Sequence, residues 1–74
     1  MTIFELTRLL EARKIPFTLA TFRDGAVTAS CTVPGERWEI EIFEDGSVEF
    51  EVFHTAVEIT GEAEMLARID KFSD

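Results

Sequence analysis

The chain has 74 residues, 46% of them hydrophobic, with 15 acids against 7 bases and a formal charge of −8. That length allows one domain, residues 1–74, and leaves little room for a buried active site beside a core, because a domain this small buries only about 60% of its unfolded surface. The hydrophobic share excludes a disordered chain. No apolar run approaches the roughly 20 residues of a membrane helix, and the excess of acid disfavours nucleic-acid phosphates and anionic membranes as partners.

The charge is unevenly spread. Residues 34–64 hold ten acids and one base, a net of −9, while the rest of the chain holds five acids and six bases, a net of +1. Cys31 is the only cysteine, so no intramolecular disulfide can form, which fits a reducing compartment. The first residues lack a basic segment followed by an apolar one, so no signal peptide is expected. A soluble cytoplasmic protein follows as the expectation.

Thr2 with Glu5 three residues on has the form of a capping box. Ile3, Leu6, Leu9 and Leu10 recur at helical spacing, and Pro16 ends the run, which predicts a helix over 2–14. Two strands follow, 17–22 and 26–33, around an Arg23-Asp24-Gly25 loop that pairs Phe17 with Cys31, Leu19 with Ala29 and Thr21 with Val27. Pro34-Gly35 suits the central positions of a type II turn. The next two strands alternate apolar and charged residues on either side of Glu44-Asp45-Gly46.

The register of that second hairpin can be worked out. A two-residue Asp45-Gly46 loop would set Ile42 opposite Glu49 and mix apolar and acidic residues on both faces, against the period of two. A three-residue loop with a left-handed Gly46 pairs Ile42 with Val48, Ile40 with Phe50 and Trp38 with Val52. On the opposite face Glu41 then meets Glu49 and Glu39 meets Glu51. Residues 54–60 read three ways: an extension of strand four, a short extra strand, or a loop anchored by Val57 and Ile59. Thr60 or Gly61 caps a final helix with Met65, Leu66, Ile69 and Phe72 as its apolar face. The inner sheet face needs a cover, and the helices are the only elements available. The fold expected is α+β, a four-stranded antiparallel meander with both helices on one face and the other face in water.

Catalysis finds little support in this pattern. A nucleophile needs a base within reach and a group to orient it, whereas Cys31 falls among core residues and His54 stands apart from it. Four glutamates on a flat face offer no apolar cleft to raise a carboxyl for acid–base work. They also cannot converge as the six to eight oxygens that calcium takes, and one His with one Cys falls short of a zinc set. No glycine-rich phosphate loop is present. No cofactor, no metal and no enzymatic role are expected.

The acidic face remains. Glu39, Glu41, Glu49 and Glu51 lie in register with only Arg37 on the same strands to neutralise them, Glu44 and Asp45 extend the charge into the turn, and Phe43, Phe53 and Phe22 fall outward by parity as candidate anchors. A plain solvated sheet face explains the same pattern without a partner. The stretch Pro-Gly-Glu-Arg-Trp-Glu-Ile-Glu-Ile-Phe-Glu-Asp-Gly-Ser-Val-Glu-Phe-Glu-Val-Phe, over 34–53, resembles small acidic immunity and antitoxin-type proteins of bacterial toxin systems. The resemblance extends in layout over 2–72 and implies occlusion of a basic partner, often a nuclease. A nucleic-acid-mimicking inhibitor and a self-associating structural protein are the alternatives.

Overall fold

A computed structural model describes residues 1–54 and 57–72. The order is α1 (Ile3–Ala12), β1 (Phe17–Ala20), β2 (Ala26–Val33), β3 (Glu36–Phe43), β4 (Val48–Phe53), β5 (Val57–Thr60) and α2 (Glu62–Lys71). The strands form one antiparallel sheet in sequence order. The fold is therefore α+β as expected, with five strands and not four: residues 57–60 pair with β4 as a strand of their own. Thr55 and Ala56, within the segment that read three ways, lie outside the described residues.

The second hairpin has the expected register. Ile42 pairs with Val48, Ile40 with Phe50 and Trp38 with Val52. Gly46 sits at φ +86°, and the Phe43 amide donates to the Ser47 carbonyl at 3.0 Å around the three-residue loop. Pro34-Gly35 makes the tight link between β2 and β3, with Gly35 at φ +82°.

Both helices cover the inner sheet face. Leu6 and Leu10 of α1 and Met65 and Ile69 of α2 join Ala29, Cys31, Trp38, Ile40, Phe50 and Val52 in one buried cluster. The helices run in the same direction, tied at one end by the Met1 amino group and Glu62 (3.6 Å) and at the other by Arg13 and Asp70 (3.2 Å). Thr2 caps α1 through the capping box with Glu5. The helix ends at Ala12, two residues before the expected end. Lys14 turns left-handed at φ 57°, its amide donates to the Glu11 carbonyl and the Ile15 amide reaches back to Leu10, which is a Schellman closure with Ile15 buried beneath it. Gly61 caps α2, and Leu66, expected on its apolar face, stays 39% exposed at the margin of the core.

Two further expectations fail at β1. The strand stops at Ala20, so Thr21 does not pair with Val27. Leu19, expected in the core, is 48% exposed because the helical layer does not reach the edge strand. The Gly25 carbonyl accepts from the Glu44 amide at 2.8 Å. The loop is thus held by the neighbouring turn instead of closing on its own strands.

A polar bridge locks α2 to the sheet. The fully buried Trp38 donates its indole N–H to Glu36 at 2.8 Å, and the other oxygen of Glu36 accepts from Arg68 at 3.0 Å. Trp38 also meets Phe50 and Phe72 edge-on at 5.7 and 5.5 Å. Glu36→Ala orphans the indole N–H and removes the best partner of Arg68, and it is expected to cost about 2–3 kcal/mol. Glu58→Ala, which removes an exposed 3.4 Å partner of the same arginine, is expected to cost clearly less, because solvent screens the pair. Urea unfolding of the two variants checks this, and equal losses would contradict the role given to Glu36.

Candidate functional site

The outer face of the sheet is organised in rows across the strands. One row runs Thr18, Ser30, Glu39, Glu51, Ile59, and the next runs Ala20, Thr28, Glu41, Glu49. The four glutamates therefore form a square, with facing Cα atoms about 4.5–5.5 Å apart across the strands. The row beyond it holds Thr32, Arg37 and Phe53, and on the other side Ala26 faces Phe43.

Both ends of the square are closed by an arginine stacked on a phenylalanine. The Arg37 guanidinium lies 4.5 Å from the Phe53 ring centre and the Arg23 guanidinium 4.9 Å from that of Phe43. Phe43 and Phe53 are thus half-buried beneath arginines and are not the bare anchors that parity suggested. Phe22 leaves the ladder altogether and lines a groove with Phe4.

Arg23 is the residue that the sequence hid. From the β1–β2 loop it donates to both carboxylate oxygens of Glu41, its Nε at 2.9 Å. To do so it lies across β2, whose outward Ala26 and Thr28 are only 6% and 5% exposed. Arg37 is the one base on these two strands, as expected, but Arg23 reaches the face from a loop: Glu41 is ion-paired, and the square with its two arginines carries a local net of −2. Glu44 and Asp45 stand outside the square, exposed in the turn. The Asp45 carboxylate accepts from the Ser47 amide at 2.9 Å and hydroxyl at 2.7 Å, and these bonds hold its pKa below the usual carboxylate value.

The remaining candidates separate. Burial pushes the Cys31 thiol up to about 12, so it is a protonated core side chain at neutral pH. His54 lies at the surface with a ring nitrogen 3.1 Å from Glu58. Among the described residues no three His, Cys, Asp or Glu side chains are placed to share a metal ion, and no helix is long and apolar enough to cross a membrane. No family model, curated protein or solved structure matches the chain.

Glu51 carries the electrostatic signature of the square. Its carboxyl is held above the usual glutamate value, first by burial, then by Glu39, Glu49 and Glu41, with Arg23 acting in the opposite sense. A raised carboxyl pKa means that ionisation is harder in the fold than in the unfolded chain, so stability is lost as pH rises through the folded-state value. Glu51→Gln is therefore expected to raise Tm at pH 7 and to leave it unchanged near pH 3, below the unfolded-state pKa of about 4.3. An unchanged or lower Tm at pH 7 would show that Glu51 feels no net repulsion.

Proposed function

We propose that the protein is a small binding module whose acidic sheet face occludes a basic protein partner, in the manner of the immunity and antitoxin-type proteins that its central hairpin resembles. The observation that carries the reading is the glutamate square: four carboxylates in facing pairs, where like charges oppose folding by a few tenths of a kcal/mol per pair. Lysine at 49 or 51 would turn each repulsion into an attraction at no cost in strand geometry. A partner bearing Lys or Arg does the same on binding, and its approach is steered by the field of residues 34–64.

The division of labour within the square follows from its contacts. Glu39 and Glu49 take no part in the Arg23 bridge, and Glu51 gains most from an incoming cation because its charge is already disfavoured. The Arg–Phe stacks present cationic and aromatic edges at the rim, which fits them to limit the register of the partner. Nucleic-acid mimicry is the second reading, favoured by the two carboxylate columns on β3 and β4, each spaced by about 6.6–6.8 Å along its strand. It names a nucleic-acid-binding cleft as the basic surface and uses the same residues.

Both readings predict one biochemical behaviour. A partner captured at low salt, purified and titrated by calorimetry is expected to bind the double variant Glu39→Gln/Glu49→Gln about tenfold or more weakly, with a flatter salt dependence. Binding that ignores both the substitutions and the salt would overturn the acidic-face reading. The chemistry of the captured protein, a toxin domain against a host nucleic-acid enzyme, separates the two.

A further inference from the structure

We infer that the β1 edge is a self-association surface through which two copies of the chain join their sheets in antiparallel fashion, with β1 of each copy at the centre. Three observations converge on this edge. The strand itself, Phe17–Ala20, contains no charge and no proline, so nothing within it guards its outward N–H and C=O groups. Pro16 at one end and the loop of residues 21–25 at the other limit a docked strand to these four residues.

Apolar side chains also stand exposed on this edge and beyond its Ala20 end. Among the described residues the large hydrophobic side chains that stand exposed are Phe4, Leu19, Phe22, Ile59 and Leu66. Leu19 belongs to β1, while Phe4 and Phe22, at 70% and 72% exposed, line a groove of about 800 Å³ just past the Ala20 end of the strand, whose walls are Ile3, Val27 and Ile42 together with the charged Arg23, Asp24 and Glu44. A buried phenylalanine covers about 150–250 Å². Phe4, Leu19 and Phe22 thus supply on the order of 300 Å² of the about 800 Å² per partner that a specific interface uses. The backbone of β1 and the groove walls are left to supply the rest.

Charge decides in favour of a second copy at this edge and against the other one. Two molecules of charge −8 repel, yet residues 1–33, which carry α1, β1 and β2, hold a net of +1. Joined through β1, the two β3 strands stand five strand spacings apart, roughly 24 Å. That is about three times the screening length of roughly 8 Å at physiological salt. Joined through β5, the two β4 strands would stand three spacings apart, roughly 14 Å, with Glu58 on the edge itself. The β1 dimer also leaves both glutamate squares open, so it is compatible with, and independent of, the binding role proposed above.

Sedimentation equilibrium of the full chain at 0.15 M salt, from about 10 µM to about 1 mM, tests the inference. The mass is expected to rise with concentration from 8.4 kDa toward twice that value. Leu19→Lys, which places a charge on the edge, and Phe22→Asp, on an exposed loop where folding tolerates it, are each expected to raise the dissociation constant by roughly tenfold or more with the circular dichroism spectrum unchanged. Ile59→Lys, on the opposite edge, is expected to leave association intact. A mass of 8.4 kDa at every concentration overturns the inference, as does association that survives both β1-side variants or is lost only with Ile59→Lys.

Discussion

Gly46 holds a left-handed conformation in the three-residue turn between β3 and β4, and the parity of that turn decides what each face of the sheet presents. A loop shorter by one residue would set Ile42 against Glu49 and send alternate acids into the core. With the observed parity Trp38, Ile40 and Ile42 share the inner face with Phe50 and Val52, and the glutamates share the outer face. The same glycine also docks the start of the chain: its carbonyl accepts from the Met1 amino group at 2.8 Å, and a Cβ there would stand 3.3 Å from that nitrogen. The turn therefore sets both the register of the sheet and the place where α1 begins to cover it.

Stability and charge are kept on opposite sides of the sheet. The inner side gathers the Trp38 ring contacts and the Glu36 bridge to Arg68, and the described residues there include no buried side-chain polar atom without a partner. The outer side works against folding through its facing carboxylates, each pair by a small amount. Arg23 relieves one corner of that repulsion from a loop that has no place in the ladder. The result is a face that folds while Glu39, Glu49 and Glu51 stay outside the salt bridges of the described residues.

Those parts of the molecule that obey local rules were legible in the sequence. The capping box of α1, the Pro34-Gly35 link and the β3–β4 register each follow from a few residues and one parity argument. The first hairpin keeps the register its alternation predicts, Phe17 with Cys31 and Leu19 with Ala29, and departs from it only at the loop, where Thr21 does not pair with Val27, for a tertiary reason. Gly25 has the left-handed conformation that a three-residue loop requires, but its carbonyl is taken by Glu44 and the side chain of Arg23 by Glu41, so the loop belongs to the neighbouring hairpin. Leu19 followed the alternation faithfully and still escaped the core, because alternation fixes a face and says nothing of how far the helices extend over it. The groove was hidden because its walls, Ile3, Phe4, Phe22, Val27 and Ile42, lie on elements distant in sequence. β5 is only four residues long, too short for its Val-Glu-Ile-Thr pattern to be told from a loop.

The register of the central hairpin supports every functional statement about the glutamate square, and nuclear magnetic resonance reads it directly. Cross-strand contacts between backbone protons of β3 and β4 are expected to pair Ile42 with Val48 and Ile40 with Phe50, which places Glu41 against Glu49 and Glu39 against Glu51. Contacts shifted by one residue, pairing Ile42 with Glu49 and Ile40 with Glu51, would dissolve the square and contradict the account.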